Sequence, residues 1–189
     1  MPETDLRPSQ PSQAHPARER GYEWDDPAAA ASAAADLDGA AFLQAILDGT
    51  LPGAPLARTL DFAPVSVRPG AVVFEFTPAE FHYNPIGSVH GGVLAALCDS
   101  ACGCAVHSTL PAGTSYTSLD LSIKFLRPVT SAVGRMRCEG TVTHAGNRSA
   151  LAEARLTDAA GKLFAFATST CMIFRPTPPP AGPTVQPPR

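Results

Sequence analysis

An α+β fold, an antiparallel sheet wrapped round one long central helix, is what this sequence predicts. Three observations carry that reading. From Gly91 to Val106 every residue is apolar or small except Asp99 and Ser100, and a helix apolar all round is buried on all sides. Six segments read as strands, two before this stretch and four after it. Too few helices remain to wind parallel strands through βαβ crossovers.

The 189 residues suffice for one domain with a sizeable core. An apolar fraction of 44% against a charged fraction of 16% is that of a folded globular chain. A net charge of −3 provides no basic field for nucleic acid or an anionic membrane surface. No apolar run approaches the ~20 residues of a membrane span, and the first residues lack the apolar core of a signal peptide. The cytoplasm is therefore the expected location. Five cysteines, an odd number, fit a reducing compartment in which cysteine serves as small core filler. Cys98 and Cys102 share a helix face, but Cys104 lies well round from both and no histidine joins them at ligand spacing, so no metal site is expected.

Taken in order, residues 1–36 are rich in Pro, Ala, Ser, Arg and Asp and show no sustained apolar period. They are expected to be a disordered tail, with room for a helical turn in "DPAAAASAAAD". The domain is expected to span 37–175. It opens with Phe42, Leu43, Ile46 and Leu47 at helical spacing. "LPGAPLARTLDF" reads as a turn-rich connector. "APVSVRPGAVVFEFTPAE" reads as two strands about the turn "RPG". The long helix follows, from about His90 to Ser108. "TSLDLSIKFLRPV" then alternates, with Leu119, Leu121, Ile123 and Phe125 on one face of a single strand. Strands in "AVGRMRCEGTVTHAG", "RSALAEARLTDAAG" and "KLFAFATSTCMIF" complete the domain. Residues 176–189 are a proline-rich tail that can neither pair in a sheet nor continue a helix.

Asp99 is the anomaly. A buried carboxylate must be paired, protonated or set beside a wet cavity. The helix that holds it opens with His90, Gly91 and Gly92. Glycines at a helix start let a ligand approach the free amides, and those amides with the helix dipole suit a carbonyl oxygen gaining negative charge. An acid that activates water, combined with an oxyanion hole, makes a hydrolase of acyl compounds. Gly91 and Asp99 are eight residues apart, about 12 Å at ~1.5 Å per residue. One helix cannot easily bring both to one carbonyl. If both are catalytic, two antiparallel copies must share two composite sites, which requires a homodimer.

Asn84, His90-Gly91-Gly92 and then Asp99, together with "FLRPV" and "HAGNRS", resemble the hotdog-fold acyl-CoA thioesterases, in their phenylacetate-pathway (PaaI-like) branch, over roughly 51–174. That resemblance implies a hotdog fold and a homodimer, often paired again into a homotetramer. It implies hydrolysis of acyl-CoA thioesters without a metal or redox cofactor, CoA being part of the substrate. It makes Asp99 the general base or nucleophile and Gly91 the amide that polarises the thioester carbonyl. His90 and Asn84 match positions that support the carbonyl and orient the attacking water. Ser118 matches a hydroxyl that helps to hold that water, with Thr117 as its rival. Gly92 lies beside the substrate, and Arg127 and Arg148 match basic residues near the nucleotide phosphates; Asn147 stands where a lysine is common.

Other candidates have plainer readings. His82, His107 and His144 lack partners at useful spacing, and Glu75, Glu80, Asp120 and Glu139 read as acids of a polar outer face. Ser100 lacks triad partners. Small helix residues Ala95, Ala96 and Ala101 leave room for an aromatic or medium-chain acyl group. Two other functions share the fold: an acyl-CoA hydratase or dehydratase, and a non-catalytic acyl-CoA binder.

Overall fold

A strap leads into the domain. The computed structural model describes residues 17–33 and 35–175. Within the expected tail, residues 17–26 belong to no helix or strand and helix α1 (Pro27–Ala33) follows. Arg20 holds the strap down. Its guanidinium donates to the carbonyls of Thr59 and Arg58 at 2.6 and 2.9 Å and lies 3.9 Å over the Phe81 ring. Residues 1–16 and 176–189 lie outside the described residues, as does the expected C-terminal tail.

Helix α2 (Gly39–Leu47) starts where Asp38 accepts the Ala41 amide at 2.8 Å. The connector expected at 51–62 contains a short helix, α3 (Pro55–Leu60). Pro55 sits in its first turn, where a missing amide costs nothing, and Asp61 ends it in the left-handed conformation.

Strands β1 (Phe62–Arg68) and β2 (Ala71–Phe76) form the first hairpin, and helix α4 (Gly91–His107) follows. Next come β3 (Ser115–Ser118), β4 (Ser122–Phe125), β5 (Met136–Ala145), β6 (Ser149–Asp158) and β7 (Leu163–Phe174). All seven strands belong to one antiparallel sheet in the order β1-β2-β5-β6-β7-β3, with β4 also paired to β7.

The sheet curls round α4. Leu97, Cys98, Ala101 and Cys102 of the helix are fully buried with Val72 of β2, Met136 and Cys138 of β5, and Ala154 and Leu156 of β6. Gly140 of β5 lets the sheet backbone lie directly against the helix, since a Cβ there would overlap the Ala101 carbonyl.

One expected strand is two. Ser118 pairs with Cys171 and Ser122 with Thr168, so three residues on one strand face two on β7. This is a β-bulge, in which one extra residue is left out of the ladder. Its effect is to change the face. Tyr116 and Ser118 turn toward α4, as do Leu121 and Ile123 beyond the bulge, while Leu119 is left outside the core and is 54% exposed. The single stripe from Leu119 to Phe125 expected from the sequence is therefore broken at its first member.

Candidate active site

Asp99 lies at the middle of α4, on the flank that faces β3. It is half-buried rather than fully buried, which removes the cost of an unpaired charge in a sealed core. The Ser118 hydroxyl donates to Asp99 Oδ1 at 2.9 Å, and the second carboxylate oxygen has no hydrogen-bond partner among the described residues. Both side chains line an open hollow of about 380 Å³ with Ala95, Ala96, Leu119 and Leu121. Strand alternation sends Thr117 to the exposed outer face, so Ser118 and not Thr117 meets the acid.

The helix start is built from three contacts. His82 is buried between the rings of Phe76 and Phe81. Its Nδ1 accepts the Ala79 amide and its Nε2 lies 2.9 Å from the Leu60 carbonyl. Burial lowers the pKa of this ring. The His82 carbonyl in turn accepts the His90 amide at 2.8 Å, which fixes the residue before the helix. His90 then caps α4: its Nδ1 accepts the Gly92 amide at 2.9 Å, leaving Nε2 as the protonated nitrogen of a neutral ring. The Gly92 amide is thus occupied. The Gly91 amide has no acceptor among the described residues.

Gly91 opens into a second hollow, of about 330 Å³, shared with Ser88, Leu94, Phe125 and Arg127. A Cβ on Gly91 would come within 3.1 Å of Phe125 Cζ, so glycine lets the ring cross the helix start at van der Waals distance. Phe125 was marked in the sequence by both the alternation and the "FLRPV" motif, but neither pointed to its contact with the helix start. Arg127 is exposed and donates through Nη1 to the Leu163 carbonyl. Arg148 is exposed in the turn between β5 and β6 and lines neither hollow.

Asn84 is engaged with its own loop. Its Oδ1 accepts the amides of Ile86 and Ser88 at 3.0 and 3.4 Å, and its Nδ2 donates to Ser88 Oγ at 3.3 Å. Asp120, read from the sequence as an outer-face acid, is exposed, sits in the bulge and lines the same hollow as Asp99. No sequence signal marked Arg20, whose partners are carbonyls distant along the chain. Among the described residues no group of three His, Cys, Asp or Glu side chains is placed to hold a metal ion. No described helix is long and apolar enough to cross a membrane.

A long helix held inside a single curled antiparallel sheet, with an acid on its open flank, defines the hotdog class. The profile of the thioesterase superfamily matches residues 86–165. The structure superposes with a TM-score of 0.63 on a phenylacetic acid degradation-related protein from Ralstonia eutropha, 31% identical, over 69% of this chain and 98% of that one. The PaaI protein of the Escherichia coli phenylacetic acid degradation operon shares the fold at a TM-score of 0.63 and 23% identity, over 73% and 96% of the two chains. Human acyl-coenzyme A thioesterase 13 is 38% identical over 64 residues, 34% of this chain and 45% of that protein. The matched stretch spans less than half the length of the curated relatives. This chain belongs to the thioesterase superfamily.

Proposed function

We propose that the protein hydrolyses acyl-CoA thioesters to free acid and CoA, in two sites shared across a homodimer. The observation that carries this reading is the half-buried Asp99, held at one oxygen by Ser118 and open at the other, on the helix whose first amide is unoccupied. In this reading the thioester carbonyl accepts from the Gly91 amide of one subunit, at the positive end of its helix dipole. Asp99 of the other subunit takes a proton from water as it attacks, or attacks directly to form an anhydride that water then opens. The C–S bond breaks, the thiolate takes up the proton, and acid and CoA leave. Asn84 and His90 border the carbonyl, Gly92 the acyl chain, and Arg127 and Arg148 the phosphates.

Two features support the dimer. Gly91 and Asp99 stand about 12 Å apart along one helix, too far to serve one carbonyl. The edge formed by β3 and β4 carries Leu119, Phe125 and Leu126, each half or more exposed, and an exposed apolar edge strand is a template for a second chain. Pairing of dimers into a tetramer and a cytoplasmic location belong to the same reading, the latter consistent with five free thiols.

The test is thiol release from phenylacetyl-CoA, benzoyl-CoA and a ladder of short- to medium-chain acyl-CoAs. Wild type is expected to cleave an aromatic or medium-chain member, and Asp99→Asn to lose about a thousandfold in kcat. Mixed refolding of Asp99→Asn with Gly91→Val chains should restore activity, because one of the two sites in the mixed dimer is then intact. Undiminished Asp99→Asn activity ends the assignment of the acid; a silent mixture ends the shared site.

A further inference from the structure

Asp120 lies in the bulge between β3 and β4 and has more ties than an outer-face acid needs. Its Oδ1 accepts the Thr170 amide at 3.0 Å, and its carbonyl accepts the Ser169 hydroxyl at 2.7 Å. Leu119 donates its amide to the Thr170 carbonyl at 2.8 Å on the other side of the same step. A bulge leaves β7 short of a ladder acceptor, and the Asp120 side chain supplies it. Ser169 is fully buried, so its hydroxyl must find a partner in the protein, and the Asp120 carbonyl is that partner.

The bulge decides where Ser118 points. Ser118 and Leu121 are three residues apart, and on a regular strand they would face opposite sides. Leu121 and Ile123 pack on the core, so a regular strand that kept them there would carry Ser118 to solvent. The extra residue puts both sets on the helix side, and Ser118 reaches Asp99.

We infer that Asp120 is a positioning residue for the Ser118–Asp99 pair: its side chain holds the β-bulge that turns the Ser118 hydroxyl onto the catalytic acid. This rests on the thioesterase reading for its kinetic consequence but not for its geometry. The need is for an acceptor at Oδ1, not for a charge.

The experiment compares Asp120→Ala, Asp120→Asn, Ser118→Ala and the double variant Ser118→Ala/Asp120→Ala on the fastest-cleaved acyl-CoA, with a crystal structure of Asp120→Ala. Asp120→Ala is expected to lower kcat roughly ten- to a hundredfold at unchanged KM, as a displaced reacting group does. Asp120→Asn, which keeps the acceptor, should recover most of it. The double variant should be no slower than Ser118→Ala alone, since both changes remove one interaction. The crystal should show the Ser118 hydroxyl withdrawn from Asp99. The inference is overturned by an Asn variant as slow as the Ala variant, by additive losses, or by a crystal in which Ser118 still donates to Asp99. If Asp120→Ala does not fold, the Asn and Ser118→Ala variants decide it: an Asn variant with wild-type kcat and the Ser118 hydroxyl on Asp99 in its crystal supports it, and a slow one overturns it. If wild type cleaves no thioester, the functional reading fails, and the crystal structure alone decides the geometry.

Discussion

Helix α4 has two flanks, and they are built on opposite terms. Toward β5 and β6, Cys98, Ala101 and Cys102 are fully buried and Gly140 brings two backbones into contact. Toward β3 and β4, Ala95, Ala96 and Asp99 face an open hollow across from a bulged strand. The first flank is packed so closely that a methyl group has nowhere to go. The second is left unfilled, with a polar pair at its floor. Apart from Asp99 and Ser100 the helix residues on both flanks are apolar or small, so the strand each flank faces sets how closely it packs.

The largest effect that would break this contrast is on the closed flank. Gly140→Ala pushes a methyl group into the Ala101 carbonyl, and neither backbone can yield without moving the other. A loss of about 3 kcal/mol in denaturant unfolding is expected. A stable Gly140→Ala protein would mean that α4 floats on β5 more freely than the contact implies. On the open flank, Ala96→Leu adds more volume yet should leave stability within about 0.5 kcal/mol. It should instead raise KM for the bulkiest acyl group by about tenfold relative to the smallest. Equal losses across the ladder would show that the hollow does not receive the acyl chain.

The smallest effect belongs to the two ends of the helix, where His82 lies beneath its start and His107 forms its last residue. Burial lowers the pKa of His82 and of His107. In each case the unfolded chain binds the proton more readily than the folded one. Stability is then complete above the unfolded value near 6.5 and falls as pH drops toward the folded value. The melting temperature should decline between pH 7.5 and 5.5, and His82→Gln should flatten part of that decline. An unchanged slope in His82→Gln would assign the acid sensitivity to His107 or to carboxylates.

Much of this was legible beforehand, for identifiable reasons. The apolar run of α4 and the alternations of β2 and β5 to β7 are long patterns, and each names its element and its buried face. Asp99 stood out because it broke such a pattern. The bulge was not legible, because Leu119, Leu121, Ile123 and Phe125 alternate without a fault. The extra residue is set by Thr170 and Ser169, some fifty positions away in the chain. Helix α3 was hidden for a similar reason: Pro and Gly read as turn, and only the position of Pro55 in a first turn made a helix of it. The Asn84 loop shows the reverse, a residue picked for chemistry that also spends its hydrogen bonds on its own turn.

The cysteines packed round α4 have a practical consequence. Burial pushes the Cys102 and Cys104 thiols up to about 12, while the hydrogen bond to Cys98 at 3.9 Å, and then burial, raises that of Cys138 well above the usual range. Cys104 is partly exposed, but Cys98, Cys102, Cys138 and Cys171 are buried in the native state and react only when the core opens. The protein therefore carries its own clock. The rate at which an aromatic disulfide reagent is consumed reports how often the core opens, without a label, a mutation or a denaturant.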